Sequence, residues 1–261
     1  MRLSVFRPFV PAALFLAATA CGSPKQAPPA APPPDAKRVD DSKTGALAGR
    51  VLIEGSVPAN VPITMMTDPS CMRAHPDGSA LESYVVDRAG GDAGLENVFV
   101  YVKDGLGPYY FDIPTEPVRL DQEGCRYTPH VIGLRAGQPI EIHNSDETLH
   151  NVNARPEINQ GFNIGQSLKG RKDRRTFTAP EVMIPFMCDV HKWMNAFVGV
   201  LNHPYFAVTR DGGKFQLKNL PAGTYTIEAW HEKLGTAIQQ VTIAEKESKE
   251  ITFTFKAPAT D

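Results

Sequence analysis

From Ala46 onward, apolar residues recur mostly at alternate positions. Val51 and Ile53 are followed by Val98, Val100 and Val102, then by Ile140 and Ile142. The same spacing returns at Val198 and Val200 behind Phe197, at Tyr225, Ile227 and Ala229, and at Ile251, Phe253 and Phe255. A period of two puts every second side chain on one face of a strand. Turn signals separate the runs: Glu54-Gly55, Asp104-Gly105, Ala136-Gly137, Asp211-Gly212-Gly213 and Ala222-Gly223. Short alternating strands with Gly and Asp between them predict an all-β chain built of β-sandwiches. No long stretch carries a helical period. The polar segment from Asn153 to Arg174 reads as a long loop holding at most one short helical turn, and no tandem repeat is visible.

The first 44 residues read differently. Arg2 and Arg7 precede an apolar, small-residue stretch from Phe9 to Ala20, with Cys21 directly after it. A positive start and a short apolar core predict a bacterial export signal over residues 1–20. Leu16-Ala17-Ala18-Thr19-Ala20-Cys21-Gly22 resembles a lipoprotein signal, which implies that Cys21 is lipidated. The alternative is ordinary cleavage after Ala20. Pro24, Pro28, Pro29, Pro32, Pro33 and Pro34 then crowd a polar, aperiodic stretch, so residues 21–44 are expected to form an extended tether. The chain is thus expected on the periplasmic or cell-surface side of a bacterial membrane, lipid-anchored.

Composition narrows the function classes. The 261 residues carry a formal net charge of −2, and 8% are aromatic. No global charge draws the chain to nucleic acid. The basic run Lys169-Gly170-Arg171-Lys172-Asp173-Arg174-Arg175 is short and lacks interleaved aromatics. It reads as a solvated loop, or as a patch that steers an acidic redox partner, and not as a nucleic-acid site.

Cysteine and histidine carry the candidate chemistry. The four cysteines are Cys21, Cys71, Cys125 and Cys188. Export implies an oxidising compartment in which thiols pair. With Cys21 lipidated, three pairings remain open. The surroundings of Cys188 set it apart: Cys188-Asp189-Val190-His191-Lys192-Trp193-Met194 places a thiol, an imidazole and a thioether within seven residues. Cys71 and Cys125 lack such company, so a Cys71–Cys125 bridge is expected, with Cys188 free. A metal would explain an unpaired cysteine there, because coordination occupies the sulfur as thiolate. A Cys, two His and a weak Met form the ligand set of an electron-transfer copper site. The spacing Cys-x2-His-x2-Met suits a short loop between two strands. His150, in a turn after the strand that ends near His143, is the candidate fourth ligand.

At these residues the chain resembles the cupredoxins, the small blue copper proteins, over about Val118 to Asn202. The similarity lies in Gly137-Gln138-Pro139-Ile140-Glu141-Ile142-His143-Asn144, in His150-Asn151-Val152, in Thr176-Phe177-Thr178-Ala179-Pro180 and in Ala196-Phe197-Val198-Gly199-Val200. The short ligand loop is that of the amicyanin-like branch. The resemblance implies a Greek-key β-sandwich and one type 1 copper held by His150, Cys188, His191 and Met194. It also implies that Asn151 ties the two ligand loops together, and that electrons pass through an exposed edge of His191. Two residues depart from the pattern: Val190 stands where Pro is common, and Trp193 lies between His191 and Met194, where it either shields the metal or relays electrons.

A second resemblance covers the flanks. Ala207–Leu217 followed by Leu220-Pro221-Ala222-Gly223-Thr224-Tyr225 is similar to carboxypeptidase-regulatory-like or transthyretin-like sandwiches. Ala48-Gly49-Arg50-Val51 and the run from Asn97 to Val102 resemble the opening strands of such modules. Residues 45–117 and 203–257 are therefore expected to form one small sandwich, split by the cupredoxin of residues 118–202. A tandem order is the alternative.

The remaining histidines read as structural. His143 shares parity with Glu141 and is expected to face solvent. His75 and His130 are expected to flank the disulfide. His231, which follows Trp230 at a strand end, reads as a satisfied polar histidine at a domain interface, with a second metal site or a contact over the copper loop as the sharper alternatives, and the sequence assigns His203 no role. The function expected is a one-electron carrier with an unidentified redox protein partner, not an enzyme. The alternative is an envelope module that handles copper or binds protein or glycan.

Overall fold

A computed structural model describes residues 35–259. The export signal, Cys21 and the Pro-rich stretch to residue 34 lie outside the described residues, as do residues 260 and 261. Among the described residues the chain is all-β, apart from one short helix, α1 (Pro69–Ala74), and a 3-10 turn at Asp41–Lys43. No helix among them is long and apolar enough to cross a membrane.

The principal strands are β1 (Gly45–Glu54), β2 (Phe99–Asp104), β3 (Val118–Gln122), β4 (Val131–Arg135) and β5 (Pro139–Asn144). They continue with β6 (His150–Ala154), β7 (Phe162–Gln166), β8 (Lys172–Thr176), β9 (Glu181–Met187) and β10 (Asn195–Leu201). The last are β11 (Phe206–Val208), β12 (Lys214–Leu220), β13 (Gly223–His231), β14 (Gly235–Ile243) and β15 (Ser248–Lys256).

Two sheets enclose the central core. One runs β8-β5-β3 and ends on a short pairing at Tyr127–Thr128; the other runs β7-β6-β9-β10-β4. Leu120, Ile140 and Ile142 from the first sheet meet Val152, Phe186, Val198 and Val200 from the second. The inward set follows from the period-two pattern. A second pair of sheets joins strands from the two ends of the chain. β1 runs parallel to β15 over Ala46–Glu54 and antiparallel to β12. β13 pairs with β2 and with β14, and β11 pairs with the other edge of β2. Leu47, Val51, Val100, Ile227, Phe253 and Phe255 fill the space between.

The two halves share an aromatic seam. Gly133 of β4 and Gly199 of β10 are register partners. The Phe99 ring lies over both, and a Cβ at Gly199 would stand 2.6 Å from Phe99 Cζ. The missing side chains let a ring from β2 pack against the central sandwich. Trp230 packs beside Phe197 on the same seam, ring centroids 5.0 Å apart.

Four expectations need correction. The tether ends before residue 44: Lys37 exchanges backbone hydrogen bonds with Pro108 and Tyr110, and Arg38 pairs with Asp112 at 2.6 Å. Residues 45–117 do not all serve one sandwich, because Met65 and Cys71 are buried in the core of the central sandwich. The segment from Asn153 to Arg174 is not one loop. It holds β7 and the start of β8, and the basic run is largely strand, with Arg171 on Asp173 and Arg174 on Glu141. His143 is buried, not solvent-facing: it shares a face with Glu141 as its parity requires, but its ring turns onto the Glu141 carboxylate at 2.5 Å.

Candidate metal centre

The loop Cys188–Met194 joins the adjacent antiparallel strands β9 and β10, and its ends are tied together. Cys188 N donates to Met194 O at 3.1 Å, and Met194 N donates to His191 O at 2.9 Å. Three of the four expected ligands therefore ride on one closed turn. His150 opens β6, next to β9 in the same sheet. The structure brings His150, Cys188 and His191 together, with one ligand atom of each within 4.8 Å of the others. All three are buried. Met194 is buried in the same core.

The ring nitrogens show how the histidines are set. Nδ1 of His150 lies 2.9 Å from Nδ1 of His191. On the far side of each ring is a carboxylate. His150 Nε2 faces Asp146 Oδ2 at 2.8 Å, and His191 Nε2 faces Asp68 Oδ2 at 3.1 Å. A carboxylate only accepts, so each Nε2 carries a proton, and Nδ1 is the nitrogen that each ring turns inward. Two imidazole nitrogens on one ion, at ~2.0–2.1 Å, lie ~2.9 Å apart at a right angle and ~3.3–3.4 Å apart in a tetrahedral arrangement. The observed 2.9 Å lies at the short end of this range, and a donor set of two imidazoles and a thiolate fits copper.

Electrostatics agree with a thiolate. Burial pushes the Cys188 thiol up, but hydrogen bonds from His150 and His191 outweigh it and bring the value down to about 5. Burial likewise opposes a charged His150, while Asp146 and Cys188 raise its value above the ordinary one. The Cys188 sulfur also accepts from His191 N at 3.3 Å.

Asn151 links the two ligand segments. Its Oδ1 accepts from Asp189 N at 2.7 Å and from Val190 N at 3.4 Å. Its amide donates to Asp189 Oδ2 at 3.0 Å. Asn153 and Asn163 donate to the same carboxylate, so Asp189 anchors the ligand loop to β6 and β7.

Cys71 and Cys125 are joined, and Cys188 is free. The bridge lies against the centre: Cys71 Sγ is 3.7 Å from His191 Nε2, and Cys125 clusters with Asp146 and His150. Together with α1 it covers His191, which is 3% exposed. The open histidine edge expected for electron passage is therefore corrected. The Asp68 carboxylate occupies that place. Trp193 packs at the other flank, its centroid 5.0 Å from His191 and its Nε1 donating to Cys125 O.

Sequence reasoning missed Asp68 and Asp146 as neighbours of the ligands. Asp68-Pro69-Ser70 carries a local signal, since Asp before Pro marks a helix start. Nothing local links that start to His191. His75 does flank the disulfide, donating to Gly124 O at 2.6 Å. His130 does not, because it bridges Asn195 O and the Glu232 carboxylate across the two halves. His203 and His231 are buried and enter no candidate metal cluster among the described residues. Each accepts a backbone N–H at Nδ1, from Tyr205 and Lys233 respectively.

No protein-family model matches the chain, and no curated protein matches it. Similar chains are found among solved structures. A copper-containing nitrite reductase from Thermus scotoductus SA-01 is 22% identical with a TM-score of 0.32, over 35% of this chain and 24% of that one. A purple cupredoxin from Nitrosopumilus maritimus is 18% identical with a TM-score of 0.28, over 32% of this chain and 98% of that one. A mutant of amicyanin in its Cu(I) form is 15% identical with a TM-score of 0.30, over 39% of this chain and 97% of that one. This chain thus spans about a quarter of the nitrite reductase, and the two small proteins match between about a third and two fifths of it.

Proposed function

We propose that the chain holds one type 1 copper ion through His150, Cys188, His191 and Met194, and that it carries single electrons for a redox protein partner. The observation behind this reading is the convergence of two inward Nδ1 atoms on a buried, low-pKa cysteine sulfur. Copper would supply the one-electron couple. The protein's part is to keep water out and to hold the rings. The buried ligands leave little room for rearrangement, and Asn151 with Asp189 fixes the loop that bears three of them. An enzymatic role needs an open position at the metal, which the four-ligand set does not offer. In the same proposal, lipidated Cys21 and the Pro-rich stretch anchor the domain outside a bacterial membrane.

One observation favours a second reading, an envelope module that stores or passes copper. His191 is covered by α1 and the disulfide, and a covered ligand edge slows electron exchange.

The visible spectrum after Cu(II) loading, and again after reduction, tests the first reading. A strong thiolate-to-copper band that bleaches on reduction is expected, and Cys188→Ser should lose it. Met194→Gln should keep copper and lower its reduction potential, because a harder oxygen ligand favours Cu(II). A wild-type chain without such a band would sink the carrier reading. Copper binding with very slow electron self-exchange would favour storage or transfer.

A further inference from the structure

Asp68 belongs to the segment before the metal half, 123 positions from the histidine it meets. Its two oxygens are divided between two tasks. Oδ1 accepts from Ser70 N at 2.8 Å and Cys71 N at 3.2 Å, capping α1. Oδ2 accepts from Thr148 Oγ1 at 2.6 Å and faces His191 Nε2 at 3.1 Å. Thr148 stands two residues before His150. One carboxylate therefore touches the approach to one ligand and the ring of another. The segment is held there covalently by Cys71–Cys125, and Cys125 N donates to Asp146, the carboxylate behind His150.

We infer that Asp68 is a positioning residue for the metal centre, holding His191 with its proton on Nε2 so that Nδ1 stays free to bind. This rests on the copper reading above. A histidine at an open edge hydrogen-bonds to water, which donates or accepts equally well and so does not choose between the two ring tautomers. A carboxylate can only accept and removes that choice. The alternative tautomer would place a hydrogen on Nδ1, inside the ligand set. The carboxylate also adds a negative charge beside the ring, which favours Cu(II) over Cu(I).

Two substitutions separate this role from helix capping, because Asn and Ser both cap well. Asp68→Asn keeps the shape, but its amide can donate to Nε2 and so shift the proton to Nδ1. Asp68→Ser keeps the cap and removes the carboxylate. Long-range 1H–15N spectra of the copper-free chain should show His191 as the Nε2–H tautomer in the wild type. Asp68→Asn should move it to Nδ1–H and leave His150 unchanged. Both variants should bind Cu(II) ten- to a hundredfold more weakly. Both should also raise the Cu(I)-to-Cu(II) ratio at fixed potential about tenfold, equal to 59 mV for a one-electron couple. Wild-type tautomer, affinity and potential in both variants would reduce Asp68 to a helix cap and overturn the proposal. The tautomer measurement needs no metal, so a wild-type chain that fails to bind copper would sink the copper reading while the role of Asp68 was still decided.

Discussion

At the scale of single residues, buried polar groups are costly unless satisfied, and Asn151 satisfies the most at the ligand loop. Asn151→Ala would strand the amides of Asp189 and Val190, which donate to its side chain. A loss of about 1–3 kcal/mol is expected, read as a lower urea midpoint together with faster copper release. An unchanged midpoint would mean that water replaces the amide. His203 and His231 give a pH prediction. Burial, with Arg135 nearby for His203, lowers each to about 4 from an ordinary 6.5. Between those values the unfolded chain binds protons that the folded chain refuses. Their contribution is complete above pH ~6.5 and is lost as pH falls toward ~4, roughly 3 kcal/mol for each group. Unfolding free energy measured from pH 7 to 4 should fall, and His231→Leu should flatten part of that slope.

At the scale of elements, α1 and the segment around it are joined to the central sandwich by one covalent bond and a few side-chain contacts. The sequence separation of the bridged cysteines is 54. Closing a loop of that length in the unfolded chain is worth about 4 kcal/mol in the chain-entropy account. Paired Cys71→Ser and Cys125→Ser changes should lower stability by that order. They should also make His191 reactive to diethyl pyrocarbonate, followed by peptide mass spectrometry. His191 as inert as in the wild type would show that Asp68 and packing hold α1 without the bridge.

At the scale of the whole molecule, the two sandwiches meet on a floor without side chains. A methyl group at Gly199 would meet Phe99 Cζ at 2.6 Å and Met183 Cε at 2.7 Å. Gly199→Ala should cost about 1–3 kcal/mol through overpacking, seen as a lower thermal midpoint. A neutral result would mean that the Phe99 ring yields freely and that the seam is loose. Above and below this seam, β1 depends on β12 and β15, and β2 on β13. The central sandwich therefore lies, in sequence, between strands that pair with one another across it.

What the sequence determined by itself is what repeats or sits close together along the chain. Alternating apolar residues state that the chain is β and which faces are inward, because a strand has period two. Cys188, His191 and Met194 are legible because seven residues hold them. The same parity placed His143 beside Glu141, yet it could not tell that the ring would lie buried on that carboxylate. Only the tertiary structure decided what closes the centre. Asp68, Cys71 and α1 reach His191 across more than a hundred residues, and no pattern of polarity encodes such a meeting. The reason is physical. Periodicity reports which face of an element avoids water, whereas the partner that covers that face is chosen by packing of the whole chain and fixed by contacts, such as a carboxylate on an imidazole, that form only after it has folded.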